Sequence, residues 1–151
     1  MKLEISLSSG PQWVIPEEED LALEFRYEYA LPQRNWAQRC KTIGARYPLF
    51  ENESDFVTKV NHGRIQLLTR SDQVHNRTQL RSIEEIEDLV SGYAYPRDVA
   101  RIVEGFKKGV IMPMPIIIKG TKGMWILSGN TRQNIASVMK LPTQVIIVDA
   151  S

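Results

Sequence analysis

The chain has 151 residues, of which 42% are apolar and 25% charged, with a net charge of +1. These proportions fit one globular domain with room for an N-terminal extension, and they provide no global field that would draw the chain to nucleic acid. Cys40 is the only cysteine, which excludes an internal disulfide and a cysteine-based metal cluster. No apolar run approaches the roughly 20 residues a membrane helix needs, and MKLEISLSSGPQWV lacks a signal-peptide apolar core. The chain therefore reads as cytoplasmic, with no membrane partner.

Taken in order, Lys2–Leu7 alternates apolar and charged residues and predicts a short edge strand, which Ser8-Ser9-Gly10-Pro11 ends. Pro16 followed by Glu17, Glu18, Glu19 and Asp20 predicts a helix start over Glu17–Tyr29, because acids favour the positive end of a helix dipole. Arg34–Tyr47 places Trp36, Cys40 and Ile43 on one helical stripe, with Gly44 near its end. Ser54 is expected to cap a short helix, Asp55–Asn61, with Phe56, Val57 and Val60 on its apolar side. Arg64–Thr69 reads as a strand.

Arg70–Arg81 is polar and without period, so it reads as a loop. Lys59–Arg81 holds five Lys or Arg and one acid, a modest basic patch. It is either a solvated loop or a surface that faces phosphate or nucleic acid through Arg70, Arg77 and Arg81. Base-stacking aromatics are absent from it, which argues against single-strand binding.

Ser82-Ile83-Glu84-Glu85 is a capping box. Its helix runs to about Ser91 with Ile83, Ile86, Leu89 and Val90 inward, and Gly92 ends it. Tyr93–Pro96 is an extended link. Arg97–Lys108 is the next predicted helix, with Val99, Ile102, Val103 and Phe106 inward and Gly109 as its stop. Strand signals follow at Met114–Lys119, Met124–Leu127 and Gln144–Val148, with a helical pattern before the last of them. Ile116–Ile118 is apolar on both faces, as a central strand would be. His62 and His75 read as surface histidines, Cys40 as a buried apolar residue, and Trp125 as core.

Between the second and third of these strands lies Ser128-Gly129-Asn130-Thr131-Arg132. A strand that ends in a glycine turn and opens a helix brings backbone N–H groups together on an anion. Gly129 permits the tight turn, the N–H groups of Asn130 and Thr131 start the helix without intrahelical partners, and Arg132 brings a planar fork suited to phosphate. On spacing alone, the same residues also suit a plain helix cap with a surface arginine. Neither the Walker nor the dinucleotide fingerprint is present.

The wider pattern, YPRDVARIVEGFKKG, then MPMPIII, then WILSGNTRQNIASVMKLPTQVIIVD, resembles the ParB/sulfiredoxin superfamily over roughly residues 80–150. The resemblance implies an α/β (α+β) fold, a small mixed sheet with flanking helices. Residues 80–151 would form that domain and residues 1–79 a mainly helical N-terminal extension with short strands. Sulfiredoxins carry Gly-Cys-His-Arg at this turn; Asn130 stands at the cysteine position, so their thiol chemistry is not expected. ParB partition proteins carry Gly-Glu-Arg-Arg and bind CTP. Asn130 and Thr131 replace the middle pair, and no helix-turn-helix follows, so a sliding DNA clamp is not expected.

The free serine kinases of the superfamily are nearer in motif. Their turn is of Asp-Gly-His-His-Arg type, and an upstream Pro-X-Glu supplies the base. Gly129 and Arg132 match, and Asp98 of Pro96-Arg97-Asp98 stands where that glutamate would be. Ser128 departs from the family's Asp, which removes an acid expected near metal and acceptor. The resemblance implies a nucleotide-binding, Mg²⁺-dependent phosphotransferase that uses ATP and acts on a hydroxyl of a small metabolite or a modified DNA base. Small chains of this kind are often phage-encoded, so a DNA-modification role is among the expectations. Ser128 through Arg132 would hold the phosphates, Asp98 would take the acceptor's proton, and Arg97 would stabilise transferring charge. The alternatives are a DNA-binding or nuclease protein, and a noncatalytic module for a nucleotide or a host protein.

Overall fold

A computed structural model describes residues 11–69, 72–77, 80, 82–91 and 98–151. The expected strand at Lys2–Leu7, the Gly92 helix end and the Tyr93–Pro96 link lie outside the described residues, as do Arg70, Arg81 and Arg97.

Strand β1 (Gln12–Val14) leads into helix α1 (Glu18–Glu24), whose acidic first turn suits the dipole. The helix continues through a wider π-helical turn, Phe25–Ala30, until Leu31 becomes extended ahead of Pro32. Helix α2 (Trp36–Ile43) buries the expected stripe of Trp36, Cys40 and Ile43, and Gly44 closes it at φ +70°. Helix α3 (Glu53–Asn61) starts earlier than its sequence suggests. Its cap is Asn52, whose side chain accepts the Asp55 N–H at 2.9 Å, and Ser54 lies inside the helix. Asn52 meets the same need as serine, a short side-chain acceptor three residues before the N–H it receives.

Strand β2 (Arg64–Leu68) is followed by the 72–77 loop and helix α4 (Ile83–Ser91). The capping box forms, with the Ser82 hydroxyl accepting the Glu85 N–H at 3.2 Å. Ile86 and Val90 are buried, whereas Leu89 faces outward at 37% exposure, a correction to the expected inner face. Helix α5 (Val99–Lys107) is followed by β3 (Ile111–Pro113), which pairs in parallel with β1. The sequence carries no strand signal over β3, whose proline lacks an N–H donor. At the end of a three-residue ribbon that loss is tolerated. The remaining elements are β4 (Ile116–Lys119), β5 (Met124–Ser128), α6 (Asn130–Val138) and β6 (Thr143–Asp149).

The main sheet has the order β2-β6-β4-β5, antiparallel at its outer pairs and parallel between β6 and β4. The fold is mixed α+β. Because β4 and β6 are central, both their faces are apolar. One face, with Ile116, Ile118, Leu127, Ile146 and Val148, packs on α1, α2 and α3. The other, with Leu68, Ile117, Ile126, Val145 and Ile147, packs on Val74 of the 72–77 loop. A further core joins Ile86 and Val90 of α4, Val99 and Phe106 of α5, and Ile135 and Ala136 of α6. Trp13 seals it edge-on against Phe106. Among the described residues, no helix is long and apolar enough to cross a membrane.

Candidate functional site

The turn between β5 and α6 is where the strand, the helix and the N-terminal residues converge. Ser128 ends β5 opposite Ile116, where the register shifts by a bulge. Gly129 then takes φ +89°, the left-handed region. A Cβ there would meet the Cα and Cβ of Pro115 at 2.8 Å and Nη2 of Arg132 at 2.9 Å. Glycine is thus required twice, for backbone conformation and for space. Gly129 provides no side chain to cap α6, so the first-turn N–H groups are left to another acceptor. Arg132 folds back over the turn, and its Nε donates to the Pro113 carbonyl at 3.1 Å. That bond fixes the guanidinium beside Gly129.

Glu24, at the end of α1, is the site residue that the sequence does not reveal. Its carboxyl lies within electrostatic reach of the Ser128 hydroxyl and the Arg132 guanidinium. Burial pushes its pKa above the usual carboxylate value; Ser128 and Arg132 oppose this, while Glu28 and Asp20 add to it. Glu24 thus comes to Ser128 from a helix more than a hundred residues away in the sequence. Periodicity could mark Glu24 as a helix residue, but nothing local pairs it with Ser128.

Buried polar atoms without a hydrogen-bond partner concentrate here. Among the described residues, all such side-chain atoms belong either to Glu24 or to the stretch from Trp125 to Asn134. The Glu24 carboxyl and the Ser128 hydroxyl lie against each other, whereas Asn130 Oδ1, Gln133 Oε1 and Asn134 Oδ1 have no partner. Ser128, Gln133 and Asn134 are only 7%, 1% and 3% exposed. Folded proteins pair nearly all such groups, because each unpaired one costs about 1–3 kcal/mol. Their concentration makes the surroundings of this glycine turn the least satisfied polar region among the described residues.

The other expected site residues sit differently. Asp98 caps α5, and its Oδ1 accepts the Arg101 N–H at 3.0 Å. Its carboxylate is thus engaged at its own helix. Arg77 organises the 72–77 loop, with Nη1 donating to the carbonyls of Thr69 at 2.6 Å and Asp72 at 3.3 Å. Asn76 ties that loop to the sheet edge, because its amide both donates to and accepts from the Ile126 backbone. The His75 ring lies parallel to Trp125 with centroids 5.8 Å apart, and the Arg39 guanidinium stands 5.3 Å above the Trp125 ring. Trp125 is therefore already a packing surface for its own chain. Cys40 is 1% exposed, and burial pushes its thiol up to about 11, so it remains protonated at neutral pH.

Among the described residues, no three His, Cys, Asp or Glu side chains gather as a metal cluster. No family model matches the sequence, and neither a curated protein nor a solved structure matches it significantly.

Proposed function

We propose that the chain is a nucleotide-binding protein of ParB/sulfiredoxin type, and that it transfers a phosphoryl group from ATP to a hydroxyl with Mg²⁺. One observation carries this reading. An uncapped helix start, a glycine that tolerates no side chain, a pinned arginine and buried polar atoms without partners converge on one turn. Helix N-termini of this kind attract phosphate through their N–H groups and dipole.

In this reading, the N–H groups of Asn130 and Thr131 and the Arg132 fork hold the nucleotide phosphates. The oxygens of Glu24 and Ser128 suit a partly hydrated Mg²⁺, which when bound neutralises phosphate charge. Glu24 thereby takes the part of the acid missing at position 128. Asp98 takes the acceptor's proton through Oδ2 while Oδ1 keeps the helix cap. A second reading, nucleotide binding without turnover, is favoured by Asp98 being committed to that cap. Arg77 gives the nucleic-acid reading less support, because its Nη1 is engaged by loop carbonyls.

A thermal-shift screen with ATP, CTP and GTP in Mg²⁺ tests the binding half. ATP should raise the melting temperature of the native chain, and Arg132→Gln should remove that rise. Stabilisation by none of the three nucleotides contradicts the reading. Turnover tests the other half. Asp98→Asn should abolish it while ATP still binds, and unchanged turnover in that variant removes Asp98 from the base role.

A further inference from the structure

The two outer edges of the main sheet are finished differently. The 72–77 loop covers the β5 edge. Val74 bridges to Met124, the His75 N–H donates to the Met124 carbonyl at 2.9 Å, and the Asn76 amide both donates to and accepts from the Ile126 backbone. Among the described residues, nothing pairs with the outer edge of β2, the last strand on the opposite side. An open edge presents a row of N–H and C=O groups that can template another strand.

Proteins usually blunt such an edge with a lysine, a proline or a bulge. Strand β2, Arg-Ile-Gln-Leu-Leu, has none of these, and it pairs with β6 without a shift in register. Ile65 and Leu67 stand opposite Ile146 and Gln144, so they share the sheet face that the helices pack. The helices leave them half uncovered: Ile65 is 46% exposed and Leu67 53%. Arg64, Gln66 and Leu68 lie on the other face, where Leu68 is buried. The strand therefore combines an open backbone edge with an uncovered apolar pair.

We propose that β2 is a self-association edge, which pairs antiparallel with β2 of a second copy of this chain about a two-fold axis at Gln66. The strand is complementary to itself in that register. Ile65 meets Leu67 of the second copy on the helix-packed face, and Leu67 meets its Ile65, so four apolar side chains cover one another. On the other face, Arg64 comes opposite Leu68 of the second copy. That position adjoins Thr69, whose N–H is held by the Asp72 carboxylate at 2.7 Å. A cation at the start of one β2 thus approaches a carboxylate beyond the end of the other, and the symmetry makes this contact twice. Arg77 adds a cation at that end, but its Nη1 is engaged by the carbonyls of Thr69 and Asp72. Parallel pairing in register would instead set Arg64 against Arg64, which is unfavourable.

The contact is one short strand long, at the small end of protein interfaces, below about 1,200 Å². Association is accordingly weak and set by concentration. It joins two four-stranded sheets into one continuous sheet. No residue of the Gly129 turn takes part, so the pairing does not rest on the transferase reading.

Sedimentation velocity of the full chain from about 1 to 500 µM tests the pairing. The mass should rise from that of one chain toward that of two. Ile65→Lys and Leu67→Lys should each weaken association about tenfold or more, with melting temperatures near native because both positions are exposed. Gln66→Cys should cross-link to a dimer under mild oxidation. Opposed Cα atoms of an antiparallel pair lie about 4.5–5.5 Å apart, within the reach of a disulfide. Cys40, at 1% exposure, does not compete. Gln38→Cys, on the exposed face of α2, should remain uncross-linked. A monomer throughout the concentration range, native association in either lysine variant, or no cross-link through Gln66→Cys overturns the proposal.

Discussion

Two helix starts in this molecule solve the same problem in opposite ways. Helix α5 begins at Asp98, whose own carboxylate accepts an N–H of its first turn. Helix α6 begins at Gly129, which has nothing to offer its helix and is surrounded by buried polar atoms without partners. The first start is complete in itself. The second has no side-chain cap of its own. A short polar residue before a helix therefore says little about function, and the start without a cap is where the proposed phosphate site is placed.

The contrast can be broken from either side. The largest effect should come from Gly129→Val. A side chain there collides with the Pro115 backbone and takes a left-handed conformation that alone costs about 1–2 kcal/mol. Urea denaturation should show a loss of about 3 kcal/mol or failure to fold, combining clash and strain. A loss below about 0.5 kcal/mol would mean that the turn is not held as described.

Asp98→Ala comes next. It should cost about 1 kcal/mol, the usual worth of a cap, and leave ATP affinity unchanged. Asp98→Asn should cost almost nothing in stability, because asparagine caps equally well. Those two substitutions thus separate capping from proton transfer at one position.

A subtler change is expected at Glu24. Its folded-state pKa lies above the unfolded value, so the folded chain binds the proton more tightly. Its contribution to stability is full below the ordinary glutamate pKa and declines as pH rises through the higher folded-state pKa. Glu24→Gln, compared with the native chain in the absence of Mg²⁺, should therefore gain relative stability from acid to neutral pH. A parallel pair of pH–stability curves would show that the carboxyl is not desolvated. The smallest signal belongs to Cys40, whose buried, protonated thiol should react with iodoacetamide only as fast as the chain unfolds.

Much of the architecture was readable because burial imposes a period. Trp36, Cys40 and Ile43 mark one helical stripe, and Ile116–Ile118 marks a strand apolar on both faces. What escaped was set by partners distant in sequence. Strand β3 exists because β1 pairs with it from a hundred positions away. Leu89 fits the helical period of α4 yet faces out, because a contact surface can be narrower than an apolar stripe. At the turn, the need for Gly129 was legible because the backbone geometry of a tight strand-to-helix turn is local. Glu24 was not, since its meeting with Ser128 depends on how α1 packs across the sheet. The buried amides of Gln133 and Asn134 were likewise hidden, because a polar residue within a helix usually signals the solvent face.

Titration calorimetry of ATP with Mg²⁺ into the native chain, Asp98→Asn and Arg132→Gln most directly tests whether the open helix start is a phosphate site. Saturable binding to the native chain and to Asp98→Asn, lost in Arg132→Gln, is the expected result. No heat of binding to the native chain, or equal affinity in Arg132→Gln, would contradict it.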